Sequence, residues 1–356
     1  MIWIRADANK EIGTGHVMRC LSVARELTAA GEQVCFLVAD TAAVPLLEAK
    51  GQEYLVLGSD YRQMEAELPK LRQVFEEQGR MLRHPVGADA PEAAESRDFC
   101  LVDSYFVTAA YMREIQQYMP VGYVDDRGGV DFVPDLLINY NIFADEVDYP
   151  KVTSGLVLGM EYAPLREEFR GVDYRVRREA RQVLITTGGS DKYNLAGKIL
   201  EKALANPETA GLKYCVVSGV YNEYYGVLKN LEERYPNVEI LSNVSDMSRL
   251  MRKSDIAVTA GGSTMYELSA VGVPIICFSF VDNQEQIVAG FVEKELVCYG
   301  GNYLQQGEGM LAEVVDRIVL LATDEDLRKQ FSEKQRRVVD GFGAGRIAGK
   351  ILQSKR

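Results

Sequence analysis

"RADANKEIGTGHVMRC", residues 5–20, overlaps the apolar run "MIWIRA" and leads into "VMRCLSVARELTAA", residues 17–30. The latter carries apolar side chains at helical spacing and stops at Gly31. Strand, glycine turn and helix in that order open a doubly wound α/β domain. Gly13-Thr14-Gly15-His16 then stands between the first strand and its helix, where glycines let the backbone turn tightly and approach a ligand. The free N–H groups at the helix start attract an anion. Asp40, at the end of the second apolar run, fits a dinucleotide fingerprint, but two features oppose it. Met18 occupies the third glycine position, and six residues separate Ala6 from Gly13.

His16 has two readings. At the first turn of a helix the dipole disfavours an imidazolium, and a neutral ring beside Arg5, Asp7 and Asn9 suits a general base. The alternative is a histidine that packs or caps at the helix start. His84, in the proline- and alanine-rich stretch 84–97, reads as a surface residue.

Short apolar runs alternate with amphipathic segments through most of the 356 residues. The first half offers strands at "QVCFLVA", "EYLVLG", "DFCLVDSY", "VGYVDD" and "DLLINYN", with a charged helix over 61–83. From about Tyr149 to Arg181 the alternation breaks. It restarts with "RQVLITTGGS", "YCVVSG", "VEILSN", "DIAVTAGGS" and "PIICFSF", and the last helical segment lies near 323–355. The expected fold class is α/β: two doubly wound Rossmann-like domains facing a central cleft. The boundaries are 1–165 for the N-terminal domain, 166–181 for a crossing linker, and 182–356 for the C-terminal domain with terminal helices.

A formal charge of −12 argues against nucleic acid as a partner and gives no support to an anionic membrane surface. No apolar run reaches spanning length, and Arg5 and Asp7 stand where a signal peptide needs its apolar core. The six cysteines lie mostly in apolar runs without a Cys-x-x-Cys pair, so free thiols in a reducing, cytoplasmic compartment are expected. No Asp-x-Asp signature is present, and neither metal nor cofactor is expected.

Three further clusters follow strands of the second half. In "TTGGSDKYN", residues 186–194, Gly188, Gly189 and Ser190 form either an anion-binding turn or an ordinary tight turn. In "TAGGSTMYELSAVGVP", residues 259–274, Thr264 with Glu267 fits a capping box. Alternatively Gly262, Ser263 and Thr264 hold a diphosphate while Glu267 takes ribose hydroxyls. In "FVDNQEQ", residues 280–286, Asn283 and Gln284 either line a ligand site or cap the next helix.

Together "RADANKEIGTGHVMRC", "VDSY", "YVDD", "DLLINYN", "YAPLREEF", "GGSDKYN", "GGSTMYEL" and "DNQEQ" resemble the UDP-2,4-diacetamido-2,4,6-trideoxy-β-L-altrose hydrolase family of pseudaminic acid biosynthesis. That family includes spore-coat polysaccharide relatives and is similar in fold to MurG-like GT-B glycosyltransferases. The resemblance implies a UDP-sugar hydrolase with His16 as base and water attacking the anomeric carbon with inversion. It implies a substrate contact at Arg166, a cleft lined by Asn283 and Gln284, a ribose held by Glu267, and a GT-B-like division into an N-terminal sugar-binding and catalytic domain and a C-terminal UDP-binding domain. Its partner is a small-molecule UDP-sugar. The strand-end position of the clusters adds Arg5, Asp7, Gly13, Gly15 and Tyr105 as expected substrate contacts, and Gly188, Gly189, Ser190, Gly262, Ser263 and Thr264 as expected nucleotide contacts. The chain departs from the family pattern at Ser104, where relatives often carry histidine, and in "DDRGGVDFVPDLLIN", which lacks another. A GT-B transferase using the same donor, and a catalytically silent sugar-nucleotide-binding protein, are the alternatives.

Overall fold

The computed structural model describes residues 1–78, 98–149, 155–189, 191–219 and 222–355. His84 and the whole of the expected 84–97 loop lie outside them. The chain divides into two compact units, Met1–Arg166 with Phe342–Arg356, and Glu167–Gly341.

In the first unit the order is β1 (Ile2–Ala6), α1 (Gly15–Ala29), β2 (Val34–Val38), α2 (Val44–Glu48), β3 (Glu53–Val56) and α3 (Leu68–Glu77). There follow β4 (Phe99–Asp103), α4 (Ala109–Gln116), β5 (Val121–Val124), β6 (Leu136–Asn139) and β7 (Leu156–Leu158). All seven strands pair in parallel, in the order β3-β2-β1-β4-β5-β6-β7. Every residue of β1, β4, β5 and β6 is buried, as a parallel sheet covered on both faces requires. One face buries Trp3, Leu37, Cys100, Val102 and Val121 with Leu71 and Phe75 of α3 and Tyr111, Met112 and Ile115 of α4.

The second unit runs β8 (Gln182–Thr186), α5 (Leu195–Ala205), β9 (Lys213–Ser218), α6 (Tyr225–Arg234), β10 (Val238–Ser242), α7 (Met247–Lys253) and β11 (Ile256–Ala260). It continues with α8 (Ser263–Val271), β12 (Ile275–Ser279), α9 (Glu285–Glu293), β13 (Cys298–Asn302), α10 (Tyr303–Gln306), α11 (Glu308–Thr323) and α12 (Glu325–Val338). Its parallel sheet has the order β10-β9-β8-β11-β12-β13. In both sheets the strand order reverses beside the first strand, which places a ligand crevice at the carboxyl ends of β1 with β4 and of β8 with β11.

Three expectations about organisation are corrected. The last helix, α13 (Gly343–Ser354), belongs to the first unit and not to the expected domain 182–356. Its apolar face of Ala344, Ile347, Ala348 and Ile351 is buried, and it lies against α1. Residues 167–181 are no free linker. Glu168 accepts the Met247 N–H at the start of α7 (3.0 Å), and Asp255 accepts the N–H groups of Arg181 (2.8 Å) and Gln182 (3.0 Å), binding the segment into the second unit. β7 and β13 also fall where no strand was expected. One has three residues, and the other, "CYGGN", carries two glycines of low strand propensity. No helix among the described residues is long and apolar enough to cross a membrane.

A Cβ on Gly219, just past β9, would overlap the carbonyl oxygens of Gly188 and Gly189. Backbone cannot yield there as a flexible side chain does, so Gly219→Ala is expected to destabilise the second unit by about 1–3 kcal/mol. Gly226→Ala, in the first turn of α6 with open space around it, is expected to be neutral or stabilising by about 0.5–1 kcal/mol. Urea unfolding of the two variants checks the contrast. Equal midpoints would remove the proposed close approach.

Candidate active site

α1 begins at Gly15, so His16 occupies its first turn, buried except at its edge. β4 pairs with β1 and ends at Asp103, which brings the Asp103 carboxylate to the His16 ring across 87 positions of sequence. His16 Nδ1 lies 2.6 Å from Asp103 Oδ1. A carboxylate can only accept, so the proton sits on Nδ1 and the lone pair on Nε2. Arg19 Nη2 is also 2.9 Å from Nδ1, but one nitrogen cannot donate to Asp103 and accept from Arg19 at once. The guanidinium is satisfied by Asp103 instead, with Nε to Oδ2 and Nη2 to Oδ1, both 2.5 Å. His16 Nε2 has no hydrogen-bond partner among the described residues.

Arg19 extends the cluster through Nη1 to Asp126 Oδ2 (2.6 Å) and to the Tyr140 hydroxyl (2.9 Å). Asp126 also accepts the Tyr105 hydroxyl at 3.1 Å. The Tyr105 ring meets the His16 ring edge to face, with centroids 4.5 Å apart and 77° between planes. Burial by itself pushes the Asp103 carboxyl up. The Arg19 charge, with the hydrogen bonds from Arg19 and His16, outweighs it and holds the carboxyl well below the usual carboxylate range. Burial and then Asp126 push the Tyr105 phenol up, so it stays protonated. This site therefore holds an ionised acid, a histidine whose tautomer that acid sets, and an aromatic wall.

Two expected substrate contacts are corrected. Arg5 is fully buried in β1, with Nε and Nη2 on Glu67 (2.7 and 3.0 Å) and Nη1 on Asp7 (2.5 Å). Asp7 accepts the Ala39 N–H through its other oxygen (2.8 Å), and Glu67 also accepts the Tyr111 hydroxyl (2.7 Å). A buried guanidinium needs such partners, and this one spends its donors inside the domain. Gly13, at φ +73°, closes a small turn with Asn9 (Gly13 N–H to Asn9 O, 2.9 Å), and both Gly13 and Gly15 face open space. Arg166, half-buried, is the last residue of the first unit's main segment.

In the second unit, Gly188 (φ +89°) and Gly189 form the turn after β8, while Ser190 lies outside the described residues. The start of α5 is not open to a ligand as expected. Buried Asp191 already accepts the N–H groups of Leu195 (2.7 Å) and Ala196 (2.8 Å). α8 differs. Its N-cap is Gly262, not Thr264, no side chain caps it, and the expected Thr264–Glu267 capping box does not form. Ser263 and Thr264 instead occupy its first turn, directly beside the carboxyl end of β11, and Glu267 lies one turn on, half-buried. Asn283 is in the short turn before α9, and Gln284 Oε1 accepts the Phe280 N–H at 3.0 Å. A Cβ on Gly261 would crowd Val288 and Gln284, so the glycine lets the two loops meet.

Asp103, Arg19, Asp126 and Tyr140 are the site residues the sequence reading left unassigned. All four stand inside quoted motifs, "VDSY", "RADANKEIGTGHVMRC", "YVDD" and "DLLINYN". An acid closing or just following an apolar strand is the signal that marks Asp103 and Asp126. Among the described residues no group of three or more His, Cys, Asp or Glu side chains is arranged to hold a metal ion.

A carboxyl held below its unfolded value contributes stability that is fully present above about pH 4 and fades as pH falls toward the folded value. Asp103→Asn is expected to cost about 3–5 kcal/mol at pH 7, because it leaves Arg19 under-compensated. It is also expected to flatten the loss of stability below pH 4. Urea midpoints at pH 7 and pH 3 check this. Parallel pH dependences in the two proteins would show that the buried pair contributes nothing.

Residues 183–340 match the glycosyltransferase family 28 C-terminal domain. The spore coat polysaccharide biosynthesis protein SpsG of Bacillus subtilis is 28% identical over 200 residues, 55% of this chain and 57% of that protein. The UDP-2,4-diacetamido-2,4,6-trideoxy-β-L-altropyranose hydrolase of Campylobacter jejuni is 25% identical over 167 residues, 45% of this chain and 58% of that enzyme. The aligned stretches thus span under two thirds of these relatives. The crystal structure of MurG from Acinetobacter baumannii superposes with a TM-score of 0.68 over 99% of both chains at 13% identity. Likeness at that identity is a likeness of fold: the chain has the GT-B fold, and residues 183–340 of its second unit match the model of the family 28 C-terminal domain.

Proposed function

We propose that this chain is a nucleotide-sugar hydrolase that releases UDP from UDP-2,4-diacetamido-2,4,6-trideoxy-β-L-altrose in pseudaminic acid-type biosynthesis. The observation that carries the reading is the Asp103–His16 pair. It leaves one imidazole nitrogen with a lone pair and no internal partner, at the carboxyl end of β1 and β4. The resemblance to the Campylobacter jejuni hydrolase, partial in length, supports the choice of substrate.

The step needs no redox partner and, in this reading, no metal ion. A water oxygen attacks the anomeric carbon and gives its proton to His16 Nε2. The bond from that carbon to the phosphate oxygen breaks, its electron pair leaves with UDP, and attack opposite the leaving group inverts the configuration. Asp103 stabilises the imidazolium as it forms, and Arg19 keeps Asp103 ionised and in place. The first unit serves the sugar. The second serves the nucleotide, through the turn Gly188-Gly189, the uncapped start of α8 at Gly262, Ser263 and Thr264, and Glu267. Fixed N–H groups aimed at the developing phosphate charge are an effective device for such a leaving group. Ser190, Arg166, Asn283 and Gln284 complete the assignment to substrate and nucleotide.

The family 28 match favours a second reading, a glycosyltransferase in which an acceptor hydroxyl replaces water. The test is UDP release with EDTA present and no acceptor. The native protein is expected to turn over, and His16→Ala to be slower by at least about 10²-fold. No release without an added acceptor would remove the hydrolase and favour the transferase. Equal rates in the native protein and His16→Ala would remove His16 as base.

A further inference from the structure

The loop after β5 is built to present one side chain. Asp125, buried, accepts the backbone N–H groups of Arg127 (3.0 Å) and Gly128 (3.1 Å) on Oδ1 and that of Gly129 (2.8 Å) on Oδ2. The Tyr149 hydroxyl donates to the same carboxylate at 2.7 Å, and Asn139 Nδ2 donates to Tyr149 at 2.7 Å. Four donors on one buried acid fix the turn, whose glycines 128 and 129 take φ of +83° and +124°. The neighbouring acid, Asp126, is occupied by Arg19 and Tyr105.

What the turn holds out is Arg127. Its Cζ lies 3.9 Å from the centroid of the Tyr105 ring, the ring whose other contact is His16. The residue is exposed, and its guanidinium has no acceptor or ion-pair partner among the described residues. Stacking on a tyrosine is worth only about 0.5–1 kcal/mol at an exposed site and leaves the N–H donors in the ring plane free to bind. The two ring separations, 3.9 and 4.5 Å, set an upper limit of about 8.4 Å on the distance from the guanidinium to the imidazole. Inverting glycoside hydrolysis separates its base from the group serving the leaving oxygen by about 6.5–9.5 Å.

The geometry points to Arg127 as a leaving-group contact: its guanidinium donates to a phosphoryl oxygen of the substrate's diphosphate, the group that takes the electron pair when the bond to the anomeric carbon breaks. This rests on the hydrolase reading for its reaction but not for its anion. Three proteins test it: native, Arg127→Gln and Arg127→Lys. Arg127→Gln is expected to lower kcat for UDP release by about 10²-fold and to raise KM severalfold, with little change in melting midpoint. Arg127→Lys is expected to recover most of that loss, which restoring bulk alone would not do. Titration calorimetry with inorganic pyrophosphate is expected to show about tenfold weaker binding to Arg127→Gln. Native kcat in Arg127→Gln overturns the leaving-group role. Should the native protein release no UDP, the hydrolase reading fails by itself, and calorimetry still decides the arginine: weaker pyrophosphate binding in the variant supports the anion contact, whereas equal binding, or none to either protein, overturns it.

Discussion

A single buried carboxylate organises the first unit's chemistry. Asp103 closes β4, and the parallel pairing of β4 with β1 sets its carboxylate against the helix that β1 feeds. Buried there without partners, an ionised acid costs several kcal/mol, and Arg19 and His16 offset that cost. The compensation has a direction. Arg19 spends its charge on Asp103 and Asp126, so His16 is left with a proton fixed on Nδ1 and a lone pair on Nε2. Asp103 fixes the tautomer, Arg19 fixes Asp103, and Tyr105 walls the ring.

The two glycine turns of the second unit look alike in sequence and differ in chemistry. After β8, the next helix is closed by Asp191, whose carboxylate takes two first-turn N–H groups. After β11, the helix starts at a glycine with no side chain to spare, and its first-turn donors stay unclaimed by any cap. An internal acid stabilises α5 and removes its start as an anion site, whereas α8, with Gly262 at its N-cap, forgoes a side-chain cap worth a few tenths of a kcal/mol relative to glycine. Leaving donors uncapped at the carboxyl end of a parallel sheet costs folding a little and is useful for a phosphate.

Much of the fold was legible because parallel strands buried on both faces are written as apolar runs such as "MIWIRA" and "DIAVTA". β7 and β13 were not, because three residues and a glycine pair carry too little apolar pattern. The histidine and the glycines were legible by their position between strand and helix. Their neighbours were not equally so. Arg5 and Asp7 looked like polar residues at a strand end but are held by Glu67, 62 positions from Arg5, and by the Ala39 N–H. Thr264 and Glu267 had the spacing of a capping box, yet the helix begins two residues earlier, with Gly262 as its N-cap, and the box has no geometry to close.

By itself, then, the sequence determined which segments become strands and helices and which turns are glycine-rich, because those depend on local periodicity and backbone freedom. Only the tertiary structure decided which charges meet. Whether Arg5 reaches a ligand or an internal glutamate, whether His16 has an acid, and where α13 rests all depend on strand order and on residues tens to hundreds of positions away. Desolvation makes those pairings decisive. A charge taken out of water must find its partner inside the fold, and only the charges that remain unmatched beside the base are left for a ligand.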